Sequence, residues 1–306
     1  MKSAKRSIII IILSLILISC SQKKESENKD LVLVSIYPYK LIANQLVGDL
    51  YEIKSLFPAN SSPHTYSPVP EDIVAINNAK MIFINGLELE NIFEKILHEL
   101  EDKTVIFSDI FTHKLLISDS DHHHHAHNHH HKHEHIHGNF NPHIWTDPEF
   151  IVDISRKMAE QIISLNNDFK SQILNNLRQL EDEIQRVDSN IKTNRQKVKN
   201  PSIIYFHDAF AYFNRRYSIN TVALIQAFPG KEPSPTELAN LKRVIERSKV
   251  KAIVTEPQFN PKSAEIIAKE FNLEIITLDP IGYTTKAQTI AEWLDITQQD
   301  LFKGLQ

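Results

Sequence analysis

DFKSQILNNLRQLEDEIQRVDSNIKTNRQK, residues 168–197, runs without a proline or a glycine. Its apolar residues Phe169, Ile173, Leu177, Leu180, Ile184, Val187 and Ile191 recur in steps of three and four, the period of one face of an α-helix. Most of the remainder is Gln, Glu, Asn, Arg and Lys. A helix of that length is about 45 Å long at 1.5 Å per residue, enough to run the height of a two-lobed molecule. Residues 168–197 are therefore expected to connect an N-terminal lobe, 31–167, to a C-terminal lobe, 198–306.

Upstream of the connector, strand-like runs at Leu31 to Ile36, Ile53 to Phe57, Met81 to Ile84 and Thr104 to Phe107 alternate with helical patterns at Tyr39 to Gly48, Glu71 to Ala79 and Leu89 to Leu100. Pro63, Pro68 and Pro70 deny regular pairing to Asn60 to Pro70, which is expected as a loop. Asp147-Pro148 can cap and open a helix. Downstream the alternation starts again, with strands expected at Ser202 to Phe206, Asn220 to Ile225, Ala252 to Thr255 and Glu274 to Leu278. Helices are expected between them at Ala209 to Tyr217, Ser234 to Lys249 and Pro261 to Asn272, the second opened by the capping box Ser234-Pro235-Thr236-Glu237. Strand-helix alternation argues an α/β fold with a parallel sheet in each half.

The start of the chain sets its compartment. Lys2, Lys5 and Arg6 precede an apolar run from Ile8 to Ile18, then Ser19 and Cys20, the layout of a secretory signal peptide over residues 1–19. The run is too short for a membrane span, which needs about 20 residues. Leu17-Ile18-Ser19-Cys20 resembles the bacterial lipoprotein signal, and polar residues 20–30 suit a tether behind a lipidated Cys20. Cys20 is the only cysteine, so no disulfide forms within the chain. A net charge of -4 with both signs interspersed leaves no nucleic-acid footprint. Six scattered glycines form no phosphate-cradling loop.

Histidine carries the chemical information. Of sixteen, His122, His123, His124, His125, His127, His129, His130, His131, His133, His135 and His137 fall in one low-complexity tract within a His-rich loop at 113–141. Such a tract cannot build a core, and flexible clustered imidazole binds zinc, copper or nickel weakly. Elsewhere, His64 lies in the proline loop, His143 in Asn141-Pro142-His143-Ile144-Trp145, and His207 directly after a strand, as does Asp279. Ligands of open α/β sheets bind at the carboxyl ends of strands. Three imidazoles and one carboxylate make a tetrahedral set suited to zinc, although spacing alone leaves open whether these four meet. Imidazoles with an ordinary pKa of about 6.5 should lose metal steeply between roughly pH 7 and 5.

Ser62-Pro63-His64-Thr65-Tyr66-Ser67-Pro68, Asn141-Pro142-His143-Ile144-Trp145-Thr146-Asp147-Pro148, Phe206-His207-Asp208-Ala209-Phe210, Pro233-Ser234-Pro235 and Glu256-Pro257-Gln258-Phe259 resemble, in order, motifs of the zinc and manganese ABC-transporter solute-binding lipoproteins. The resemblance spans Leu31 to the C-terminus. It implies two Rossmann-like lobes joined by one rigid helix, metal in the cleft between them, and delivery to a membrane permease by a lipid-anchored monomer. Carried over by position, the ligands are His64, His143, His207 and Asp279, with Glu256 supporting them from behind. His207 stands where manganese members typically have glutamate, and the His-rich insertion is common among zinc members, so Zn2+ is favoured over Mn2+ or Fe2+. Some zinc members carry a disulfide that this chain cannot make, and Pro63 replaces an acidic residue that some place beside the first histidine, leaving water as an alternative to Asp279. A surface-adhesin role is compatible with metal binding. A secreted zinc hydrolase is a poorer match, since no His-Glu-x-x-His motif occurs.

Overall fold

The structure, a computed structural model, describes residues 29–58, 60–117, 140–226 and 233–306. Residues 1–19, Cys20 and the histidines from His122 to His137 lie outside them. Strands β1 (Leu31–Val34), β2 (Glu52–Ser55), β3 (Met81–Ile84) and β4 (Thr104–Ile106) form one parallel sheet in the order β2-β1-β3-β4. A second parallel sheet repeats that order as β6-β5-β7-β8, from β5 (Ser202–Tyr205), β6 (Asn220–Leu224), β7 (Ala252–Thr255) and β8 (Glu274–Thr277). The chain reverses direction beside the first strand of each sheet. This puts a crevice beyond the carboxyl ends of β1 and β3, and another beyond β5 and β7.

Both faces of the second sheet are covered, as a parallel sheet requires. Along β5 and just past it, Ile203 and Tyr205 join the main core while Ile204 and Phe206 turn to a smaller cluster with Leu241, Ile253 and Ile267, the two-residue alternation of a strand. Helix α1 (Tyr37–Val47) starts with Pro38 in its first turn, and α2 (Pro70–Asn78) begins on Pro70 itself. The pattern at Leu89 to Leu100 is not one helix. A 3-10 turn at Asn91–Phe93 leads into a short α3 (Glu94–His98), because both Glu90 carboxylate oxygens are drawn back to the Asn85 and Gly86 amides at 2.9 and 3.0 Å. Asp147 caps α4 (Pro148–Leu165) through the Glu149 amide at 2.9 Å, with Pro148 at the first helical position.

The long connecting helix is present as α5 (Lys170–Lys197), preceded by a 3-10 turn at Asn167–Phe169. Ile173, Leu177, Leu180, Ile184, Val187 and Ile191 are its buried residues, the stripe that the spacing marks. Helices α1 and α4 pack on it, so one continuous core reaches from the first sheet to the second. After β5 come α6 (Ala211–Tyr217), α7 (Pro235–Arg247) and α8 (Lys262–Phe271). The capping box of α7 forms as expected, with the Ser234 and Glu237 side chains each accepting from the other's amide.

A further helix, α9 (Ile290–Leu305), is absent from the sequence-based expectations. It packs on α5 and β8, and its first amide donates to Gln45 Oε1 of α1 at 2.9 Å, so the chain's end ties back to the first half. A half-buried ion cluster adds another tie. Arg216 of α6 reaches Asp147 and Glu149 at the start of α4, at 3.2 and 2.9 Å, and Asp188 of α5 at 3.2 Å. No helix of the described residues is long and apolar enough to cross a membrane.

Candidate metal centre

Three histidines from distant parts of the chain meet where the two sheets face each other. His64 sits in a 3-10 turn, Pro63–Thr65, that follows β2; the Ser62 hydroxyl accepts its amide at 3.3 Å. His143 ends the stretch before a 3-10 turn at Ile144–Thr146, and His207 lies two residues past β5. The Nε2 atoms of His64 and His143 are 3.2 Å apart, and those of His143 and His207 are 3.0 Å apart. One ligand atom from each falls within 4.8 Å of the others. His143 and His207 are buried, whereas His64 keeps an exposed edge.

Hydrogen bonds on the far side of two rings fix which nitrogen faces inward. Asn141 Nδ2 donates to the Asp208 carbonyl and carboxylate at 2.8 and 3.1 Å, so Asn141 Oδ1 is left to accept from the His143 amide at 3.0 Å and from His143 Nδ1 at 2.8 Å. Glu256 Oε1 accepts from His207 Nδ1. Both rings therefore carry their proton on Nδ1 and direct a bare Nε2 lone pair at the same point. Two lone pairs 3.0 Å apart repel unless a cation or a proton lies between them. Tetrahedral zinc with Zn–N bonds of about 2.0–2.1 Å puts its nitrogens roughly 3.3 Å apart, close to the separations seen.

Burial keeps the His64 and His143 rings neutral. Desolvation of its ring where it packs against His143 and His207, and secondarily the charge interaction with His207, lowers the pKa of His64 to about 3, although the residue keeps an exposed edge. Burial likewise holds His143 well below the usual imidazole value, with His207 and His64 adding to the effect. Glu256 is pushed upward by burial, an effect that its His207 partner partly offsets. Neutral rings at ordinary pH are the form that binds metal. The steep loss of metal expected between pH 7 and 5 from ordinary imidazoles is thus displaced toward lower pH for two of the three.

The segment carrying His143 is held from both sides. Asn85, directly after β3, accepts from the Tyr39 hydroxyl at 2.6 Å and donates to the Pro142 carbonyl at 2.9 Å. From the second half, Tyr212 donates to the Asn141 carbonyl at 2.7 Å, and the Trp145 indole donates to the Pro280 carbonyl at 2.8 Å.

Asp279 is not brought to the three histidines. Its Oδ1 accepts from Gln258 Nε2 at 2.7 Å and the Ile281 amide at 3.0 Å; its Oδ2 accepts from the Thr284 amide and hydroxyl, both at 2.7 Å. Four hydrogen bonds fill the directions in which a carboxylate accepts, so it cannot also meet the lone-pair centre in this arrangement. Glu256 stands behind His207, while Asn85, Asn141 and Gln258 were not assigned roles from the sequence. Asn141 and Gln258 lie inside quoted motifs two residues from His143 and Glu256, and that spacing was the available signal.

The signature of the family described as "Zinc-uptake complex component A periplasmic" matches residues 32–302. The high-affinity zinc uptake system protein ZnuA of Haemophilus ducreyi is 32% identical over 271 residues, 85% of this chain and 87% of that protein. The manganese ABC transporter substrate-binding lipoprotein PsaA of Streptococcus pneumoniae is 23% identical, over 90% of this chain and 88% of its own length. Among solved structures, the fold is similar to a crystal structure of ZnuA with a TM-score of 0.75 and 25% identity, covering 90% of this chain and 98% of that one.

Proposed function

The chain belongs to the periplasmic zinc-uptake complex component A family, and on that premise we propose that it is an extracytoplasmic receptor holding one zinc ion for an ABC importer. The observation that carries this reading is the trio of His64, His143 and His207, two of whose Nε2 lone pairs are aimed by Asn141 and Glu256. In this role the three Nε2 atoms ligate the ion, and Glu256 fixes the ring of His207 from behind. Three nitrogens and no carboxylate among them suit zinc better than manganese, which favours oxygen. The reading contains no catalytic step: the ion is cargo, and the protein's task is to bind and release it.

Under the same proposal, residues 1–19 direct export, Cys20 is lipidated, and residues 20–30 tether the 31–167 and 198–306 lobes near the membrane permease that receives the metal. The protein works as a monomer. The anchor places it on the periplasmic side of a Gram-negative cell or the outer face of a Gram-positive one. The histidines from His122 to His137 gather additional metal weakly. Elemental analysis of protein made in its own host and purified without metal-affinity chromatography tests the cargo. One zinc per chain is expected; a stoichiometric manganese or iron content would overturn zinc as the cargo.

A further inference from the structure

We infer that the amino end of the second sheet docks on the anionic headgroups of a phospholipid membrane, so that the anchored protein lies along the surface and does not stand on its tether. The inference rests on the lipid-anchored reading above. Lys197-Val198-Lys199 leads into β5, and Lys249-Val250-Lys251 leads into β7, the strand beside it. Successive side chains of an extended segment point to opposite sides, so a valine turned inward sends its neighbours outward. Val198 is buried, Val250 packs against the smaller core cluster, and all four lysines are exposed. The two segments are fastened together: Asn200 Nδ2 donates to the Lys249 carbonyl, and the Lys251 amide donates to the Ser202 carbonyl at 3.0 Å. Arg247, exposed in the last turn of α7, adds a fifth positive charge.

These charges are left unneutralised, unlike those at the other end of the molecule. Around the first sheet, Lys29, Lys54 and Lys80 pair with Asp49, Glu52 and Asp30 at 3.6, 2.9 and 3.8 Å. Among the described residues, no carboxylate pairs with Lys197, Lys199, Arg247, Lys249 or Lys251. Glu246 and Glu274, the carboxylates on the same segments, are too few to cancel them. The charges are spread over two strand entries and a helix end, a distribution that matches a surface of many headgroups and not one phosphate ion. The tether sets the orientation. Because the sheets face each other at their carboxyl ends, their amino ends lie far apart, bridged by α5, whose 28 residues are about 42 Å long. Lys29 is at the first of these ends, and the nine peptide steps from Cys20 to Lys29 reach about 32 Å at most. That is less than the length of α5, so the basic end meets the membrane only with the long axis laid along it.

Vesicle sedimentation tests this on the chain from residue 20 onward carrying Cys20→Ser, which removes the acyl anchor and leaves the protein's own surface to bind. It should partition onto vesicles of phosphatidylcholine mixed with phosphatidylglycerol and not onto phosphatidylcholine alone, and binding should weaken as salt is raised. Adding Lys199→Gln, Lys249→Gln and Lys251→Gln should reduce the partitioning about a hundredfold, whereas adding Lys29→Gln, Lys54→Gln and Lys80→Gln should reduce it far less. Equal binding to the two kinds of vesicle, no binding to the anionic ones, or equal losses in the two triple variants would overturn the inference. So would displacement by millimolar inorganic phosphate at constant ionic strength, which would make the occupant a free anion. Zinc affinity should be the same in every variant, since none of these lysines touches the metal centre. Should the lysine variants not fold, the comparison of vesicles with the parent chain decides alone. Acyl analysis of Cys20 in protein from its own host reports separately on the anchored reading.

Discussion

Asn141 and Glu256 do the first work at the site, since each accepts a hydrogen bond from one imidazole Nδ1–H and so decides where a lone pair points. Replacing Glu256 with Gln keeps an acceptor but lets the amide flip, so zinc affinity should fall about 10–100-fold with the fold intact, as calorimetry can determine. The depressed pKa values predict a pH response with two parts. For three imidazoles titrating at about 6.5, proton competition would weaken zinc roughly a thousandfold at pH 5.5. With His64 held near 3 and His143 also lowered, the loss between pH 7 and 5.5 should fall well short of that; a full thousandfold drop would contradict the burial argument. Stability moves in its own direction. The unfolded chain takes up protons at these histidines below about 6.5 while the folded one does not, so the metal-free protein should lose stability as pH falls from 6.5 toward 3. Much of this site was legible from sequence, because His207 follows a strand and His64 and His143 each sit beside a proline. The role of Asp279 was not. Whether a carboxylate just past a strand faces the cleft or its own loop depends on the Ile281 and Thr284 amides. Their course is set by Gly282, whose φ of +82° and contact with Trp293 exclude a side chain.

Helix α5 is the element on which both halves depend. Its six buried apolar residues lie on one stripe, and Ile184 near its middle is 2% exposed. Ile184→Ala should cost about 2–5 kcal/mol, measured by urea denaturation. Because one core cluster reaches both sheets, that loss should appear as a single transition and not as one lobe melting early. The chain's two tryptophans, Trp145 and Trp293, report on it: both donate to the Asp279-Pro280 backbone, and both should lose their fluorescence signal together. The period of this helix was readable because packing follows spacing. The run from Leu89 to Leu100 misled because Glu90 spends its carboxylate on the amides of a turn where Leu87 and Glu88 take positive φ, a tertiary demand that periodicity does not carry. Helix α9 was missed although its signals stand in the sequence: Thr289 caps it through the Glu292 amide at 3.1 Å, and the apolar residues Ile290, Trp293, Leu294, Leu301 and Phe302 keep a helical period.

At the scale of the whole molecule, the His143 segment is fastened to both halves, while the Arg216 cluster and α9 add ties outside the cleft. Helix α5 offers no glycine or proline hinge. His64 is the least supported of the three rings, on a short turn with an exposed edge, so metal should enter and leave past it by local movement. Small-angle scattering of the zinc-loaded and zinc-free protein should then give nearly the same radius of gyration, whereas a large expansion on metal removal would refute a rigid connector. The most direct test of the account is the zinc affinity of His143→Ala against the wild type, measured by competition with a chelator strong enough to exclude weak sites. The wild type should hold one ion tightly, and His143→Ala should bind it orders of magnitude more weakly while still unfolding cooperatively. Undiminished tight binding in a folded His143→Ala protein would contradict the three-histidine centre.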